Sequence, residues 1–210
     1  YTALYHTLIH PNLLNDVNGD YPESKTNKIG KNHQRYTVFS LWDTYRNYHQ
    51  LLTLLYPEQQ LQMVRTMLDI YKESGWLPKW ELNSTETFTM VGDPASIVLA
   101  DTYLRGLTDF DIQTAYEAML KGANTLENNP IRPGVKEYWK LGYLSVDGGV
   151  RGPVSTTQEY NAADFAIAQI AKKLGKKSDY EKFNKQAYSY RKLFDKETHL
   201  LRQRHDDGKW

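Results

Sequence analysis

Apolar residues recur along this chain mainly at helical spacing. Leu61, Val64, Leu68 and Tyr71 mark one face of a helix entered through Pro57, a residue suited to a first turn because its missing N–H has no partner there. Tyr180, Phe183, Ala187, Tyr190 and Phe194 mark another, after Ser178-Asp179-Tyr180-Glu181, which reads as a capping box. Asp93-Pro94 and Thr108-Asp109-Phe110-Asp111 read as two further helix starts. Between Ala162 and Leu174 apolar residues surround the helix almost completely, which predicts burial on several sides. No set of period-two stretches competes, so β-structure is expected only as short loop ribbons.

The connections are unequal. Helices over 38–55 and 58–74 join through a tight turn at Tyr56-Pro57. Those over 94–106 and 110–123 join through Gly106 to Asp109, and those over 159–174 and 178–195 through Gly175-Lys176-Lys177. The links between these pairs, 75–93 and 124–158, are long, and 11–37 precedes the first. Short links force antiparallel neighbours, so the long links gather at the other end of the helical layer. The expectation is an all-α fold of antiparallel helical hairpins, the alternation that successive hairpins of an α/α toroid produce. Loops of this length are commonly functional or disordered, and Trp76, Trp80 and Trp139 argue against disorder. The topology collects Trp42, Asp43, Arg46, Glu81, Glu86, Asp93, Glu159 and Tyr160 at the long-loop end.

A net charge of +1 gives no reason to expect a nucleic-acid or anionic-membrane partner. The densest basic stretch, Lys172, Lys173, Lys176 and Lys177, flanks a helix end, where cations complement the dipole. The absence of cysteine excludes disulfides and thiolate chemistry. No run of about 18 apolar residues is available to span a membrane. No signal segment is evident. The chain opens on the uncapped helical pattern Tyr1-Thr2-Ala3-Leu4-Tyr5-His6 and stops at Trp210 after a turn-like Asp206-Asp207-Gly208, so it reads as a piece of a longer polypeptide.

The densest chemistry lies in Phe39-Ser40-Leu41-Trp42-Asp43-Thr44-Tyr45-Arg46. An indole face, a carboxylate and a guanidinium within one helical turn suit a small polyhydroxylated ligand. A core Trp beside a helix-start Asp, with Arg46 pairing to Asp43 at i, i+3, is the bland alternative. Trp80 to Thr87 carries Glu81 and Glu86 among hydroxyl residues. Glycoside hydrolysis uses two carboxyls roughly 6.5–9.5 Å apart for inversion or about 5–5.5 Å for retention, but cap or surface roles fit this pair equally. Asn83-Ser84-Thr85 also matches a glycosylation sequon. Asp16-Val17-Asn18-Gly19-Asp20 begins like a calcium loop but continues with Tyr21 and reaches Asn27 where a Glu is needed, so it reads as a polar turn. His6 and His10 have zinc-compatible spacing without the Glu of a metalloprotease. No phosphate-binding glycine loop or nucleophile elbow occurs.

Several stretches together resemble the helical catalytic domain of glycoside hydrolase family 92, the calcium-dependent inverting exo-α-mannosidases. They are Tyr1 to Thr7, Phe39 to Arg46, Leu77-Pro78-Lys79-Trp80-Glu81-Leu82, Met90-Val91-Gly92, Ala100-Asp101-Thr102-Tyr103, Glu159-Tyr160 with Asp164, and Leu193-Phe194-Asp195 up to Gly208-Lys209-Trp210. The resemblance covers nearly the whole chain in order. It implies about half of an (α/α)6 toroid, packed in the parent against an N-terminal β-sandwich, and hydrolysis of terminal α-linked mannose, often α-1,2, on N-glycans or mannan. Trp42 and Asp43 would hold the −1 mannose with Arg46 in support, and Glu86 and Asp93 would face the same pocket. The family's Gly-Asn-Glu-Pro run with the general acid, and its later calcium-site stretch, are missing from this sequence. Acid, base and most calcium ligands are therefore expected elsewhere in the parent, in a periplasmic or extracellular home, and this piece alone is expected to be inactive. Another α/α-toroid glycosidase, acting on glucosides or trehalose, and a non-catalytic helical module docking carbohydrate or protein remain the alternatives.

Overall fold

The computed structural model describes residues 1–31 and 33–210. In chain order its elements are α1 (Thr2–Thr7), β1 (Asn12–Leu13), β2 (Tyr21–Pro22), β3 (Ile29–Gly30), β4 (Tyr36–Thr37), β5 (Phe39–Ser40), α2 (Leu41–Thr44), α3 (Tyr48–Leu55) and α4 (Pro57–Ser74). There follow β6 (Trp80–Leu82), β7 (Thr85–Glu86), α5 (Pro94–Leu104), α6 (Ile112–Asn124), α7 (Val135–Leu141), α8 (Pro153–Lys173) and α9 (Lys177–Ala187). A 3-10 turn (Ser189–Leu193) leads to β8 (Phe194–Asp195) and β9 (Leu200–Leu201). The fold is thus mainly helical rather than all-α: among the described residues, four small antiparallel sheets pair β1 with β4, β2 with β3, β5 with β6 and β7, and β8 with β9.

The three helical hairpins stand where the periodicity puts them, and their boundaries move for local reasons. The first helix is broken. Phe39-Ser40 pair as a strand with Glu81 and Trp80, and Asn47, at φ −155, interrupts α2 before α3 begins. The third pair starts early because Gly152, at φ 59, turns the chain into Pro153 at the first position of α8. It also ends early. Asp195 accepts bonds from the Glu197 N–H and the Thr198 hydroxyl, folding the chain back as the β8–β9 ribbon and leaving Phe194 exposed. The capping box at Ser178 does not form: α9 begins one residue before it, and Asp179 accepts the Tyr116 hydroxyl at 2.6 Å instead. The long link after α6 contains α7, a helix too short for periodicity to register.

α5 and α8 are the buried helices, and they pack on each other. α4, α6 and α9 are amphipathic and cover them from outside, as Met67, Leu99, Met119, Ile167 and Phe183 in one core show. Inside this layer His49 is fully enclosed, its ring bonded to the Thr44 hydroxyl at 3.1 Å and the Gln60 amide at 2.9 Å. Burial lowers its pKa to about 4, against a smaller opposing effect of Gln60. The unfolded chain takes up a proton near pH 6.5 that the folded chain refuses, so stability is full above about 6.5 and falls until about 4. We expect a loss on the order of 3 kcal/mol across that window, and a flatter profile for His49→Gln, by denaturant unfolding at stepped pH.

Candidate functional site

The site end is built by the three-stranded sheet, which fastens the start of α2 to the second long link. Phe39 pairs with Glu81, Ser40 with Trp80, and Glu81 with Glu86. The Leu41 N–H adds a bond to the Lys79 carbonyl at 3.2 Å. Glu81 is buried, and its carboxylate accepts from the Thr37 hydroxyl at 2.9 Å, the Val38 N–H at 3.1 Å and the Ser84 N–H. Those bonds hold Val38, a β-branched residue, at φ 62, a strained conformation next to the Trp42 turn. Glu86 is engaged in the same way. It accepts from the Lys79 N–H at 2.7 Å, the Trp80 N–H at 3.0 Å and the Phe88 N–H at 2.6 Å. Both carboxylates are thus occupied by the backbone they organise.

Above this sheet lies a cavity of about 580 Å³, walled by Trp42, Lys79, the 88–92 loop, the 148–152 loop, and Glu159 and Tyr160 of α8. Its size falls in the range of small-ligand sites. Trp42 presents its indole to the cavity, and its Nε1 is buried without an acceptor among the described residues. The Arg46 guanidinium lies over the Trp42 ring at 4.6 Å and the Tyr45 ring at 4.7 Å, and it bonds Glu159 at 2.8 Å rather than Asp43. The Tyr45 hydroxyl donates to the other Glu159 oxygen at 2.8 Å; burial, then this bond, pushes its pKa up to about 12. Asp43, beside Trp42, is exposed, and no described residue holds its carboxylate. Phe88 and Met90 of the facing loop stand at φ 52 and 66. Strain of this kind concentrates at ligand-contacting segments.

Asp93 is elsewhere. Although it occupies the N-cap position of α5, its side chain makes no cap bond. It is buried against Arg132, whose Nε donates to it at 3.0 Å while Nη2, at the same distance, is angled away. Arg132 Nη1 donates to Asp164 at 2.6 Å, and the Tyr138 hydroxyl completes Asp164 at 2.6 Å. The structure therefore joins Trp42, Arg46, Glu159 and Tyr160, leaves Asp43 exposed and outside the residues that line the cavity, and engages Glu86 and Asp93 in scaffolding bonds. Lys79 was not foreseen as a wall residue. It is buried, donates to the Ile131 carbonyl at 2.7 Å, and has its pKa lowered to about 8, chiefly by burial. Its lone cationic place in Leu77-Pro78-Lys79-Trp80 was the available signal. Asp164, among the alanines and isoleucines in the middle of α8, is a carboxylate whose burial requires a partner.

Among the described residues, no three His, Asp or Glu side chains converge as candidate metal ligands. The Asp16 loop closes on itself, with the Asp20 N–H on Asn18 at 3.0 Å and the Gly19 N–H on the Asp16 carbonyl at 2.9 Å. No helix among the described residues is long and apolar enough to cross a membrane.

Residues 1–210 match the glycosyl hydrolase family 92 catalytic domain. The fold superposes on a family GH92 α-mannosidase from Bacteroides thetaiotaomicron with a TM-score of 0.92 and 38% identity, over 100% of this chain and 28% of that one. That enzyme has also been solved in complex with mannoimidazole. A GH92 inverting mannosidase from the same organism gives 0.92 and 30% identity, over 100% of this chain and 29% of its own. An uncharacterized secreted glycosidase of Arthroderma benhamiae is 30% identical over 142 residues, which are 61% of this chain and 18% of that protein. The chain thus spans less than a third of each relative.

Proposed function

Because the chain belongs to glycosyl hydrolase family 92, we propose that it supplies part of the −1 sugar pocket of an inverting exo-α-mannosidase acting on terminal, α-1,2-linked mannose. The observation that carries this reading is the cavity of about 580 Å³ with Trp42 in its wall. A pyranose ring stacks its apolar face on such an indole and leaves its hydroxyls to the surrounding polar groups. Asp43 accepts from those hydroxyls at the rim, and Arg46 keeps the platform in place. Glu86 and Asp93 shape the walls rather than touch the sugar. The relatives whose names give an α-mannosidase, an inverting mannosidase and a complex with mannoimidazole support the substrate class and stereochemistry.

In this reading the parent's acid protonates the departing oxygen while its base activates water on the opposite face, both outside this chain. Trp42 and Asp43 hold the ring so that the reacting carbon meets them, which is a positioning contribution. Calcium enters the proposal through the family resemblance alone, with most of its ligands outside this chain, and no step here is routed through it. The apolar hollow between α5 and α8, about 630 Å³ and flanked by the exposed Leu104, Phe165 and Tyr188, supports closure of an (α/α)6 toroid by further helices of the parent. A secreted or periplasmic parent, with an N-terminal β-sandwich, completes the reading.

The test uses the parent polypeptide on α-1,2-mannobiose, with proton NMR following the first anomer released, with and without chelator. β-Mannose that disappears with chelator is expected. α-Mannose rejects inversion, calcium-independent turnover rejects the metal, and no mannose from a folded preparation active on glucosides or trehalose rejects the substrate.

A further inference from the structure

We propose that Glu159 is a positioning residue that fixes the Trp42 platform through Arg46 and Tyr45, an inference that rests on the reading of this cavity as a mannoside pocket. Its side chain is only 12% exposed, and its two oxygens are divided between partners. Oε1 accepts from Arg46 Nη2 at 2.8 Å, and Oε2 accepts from the Tyr45 hydroxyl at 2.8 Å. Those partners are consecutive residues on the turn that carries Trp42, and the guanidinium lies on both aromatic rings, at 4.6 and 4.7 Å. Indole, guanidinium and phenol are thereby tied into one unit whose anchor belongs to α8, on the other wall of the cavity.

The opposite side of Glu159 is closed as well. Gly92, at φ +92, runs so close that a Cβ there would stand 2.8 Å from Glu159 Cβ and 3.3 Å from Oε2. The carboxylate therefore cannot swing toward the 88–92 loop, and its position is set by both neighbours. With both oxygens already accepting, Glu159 is not placed as a proton donor to a ligand. Arg46 is 46% exposed, so the pair contributes little to stability. Its effect is on the orientation of the sugar-facing ring.

The experiment measures kcat and KM of the parent polypeptide on an aryl α-mannoside across pH, for wild type, Glu159→Gln, Arg46→Met and the double variant. Glu159→Gln is expected to raise KM about tenfold with a smaller fall in kcat, because a charge-assisted bond that orients Arg46 is lost. Both limbs of the pH profile persist, the unfolding midpoint stays near wild type, and the double variant is no worse than Arg46→Met. Glu159→Asp recovers part of the loss. Wild-type KM in Glu159→Gln, additive losses in the double variant, or disappearance of a pH limb each overturn the proposal, the last by making Glu159 a reacting acid or base. Should Glu159→Gln not fold, Tyr45→Phe and Arg46→Lys weaken its two bonds from the other side, and wild-type KM in both overturns it. Absence of mannoside turnover in the wild type overturns the pocket reading first, a result separate from the others.

Discussion

Arg132→Met is expected to destabilise the fold by about 3–5 kcal/mol, the cost typical of removing one partner from a buried ionic cluster. Arg132 and Asp164 are fully enclosed, and Asp93 is 2% exposed. Burial raises the Asp164 pKa, and Arg132 and the Tyr138 hydroxyl hold it down against that pull. Without the guanidinium, the Asp164 carboxylate lies in the core with only the Tyr138 hydroxyl beside it, and it escapes the penalty by binding a proton. Its folded-state pKa then stands further above the unfolded one. Stability from such groups is retained at low pH and lost as pH rises through the folded values. The deficit of Arg132→Met is therefore larger at pH 8 than at pH 5. Denaturant unfolding at both pH values, with Arg132→Met alone and combined with Asp93→Asn and Asp164→Asn, checks this: the triple variant recovers most of the loss. Equal deficits at the two pH values would remove the carboxylates from the explanation.

The second large effect is on turnover. Asp43→Ala in the parent polypeptide is expected to lower kcat/KM on α-1,2-mannobiose by about 10²–10⁴, with the unfolding free energy within about 0.5 kcal/mol of wild type. The contrast follows from where Asp43 sits. No described residue uses its carboxylate, so the fold loses nothing with it. Yet its backbone rides on the turn that Arg46 ties to Glu159, beside the Trp42 ring, so the carboxylate stands next to that platform and is free to accept from a sugar hydroxyl. Asp43→Asn keeps the shape and half of the accepting capacity and falls between. Near-wild-type kinetics in a folded Asp43→Ala protein would take Asp43 out of the pocket.

The hairpins were legible because α4, α6 and α9 are amphipathic and show one face to the core, and because Gly106 and Gly175 punctuate the chain. The end of the layer holding the cavity followed from loop length alone. What was not legible depends on who wins a shared side chain. Asp93-Pro94 and Ser178 carry good capping patterns, yet Asp93 is drawn to Arg132 and α9 starts ahead of Ser178. Arg46 looked ready to pair with Asp43, three residues away, and instead meets Glu159, 113 residues away. Local pattern says which groups are available, and distant partners that only the fold brings near decide how they are used. Glu86 is the plainest case: as a sequence letter it suited a sugar pocket, but the hairpin's own N–H groups are nearer.

The two bonds that close the cavity join residues 113 and 114 positions apart, whereas each helical hairpin closes within a few dozen. Entropy makes long closures the slower ones. During folding, the hairpins are accordingly expected to gain their helicity before α8 reaches the turn that bears Trp42. An assay of helix content alone would then score the chain as folded while the cavity beside Trp42 was still unmade, so closure of that cavity is the truer clock for this protein's maturation.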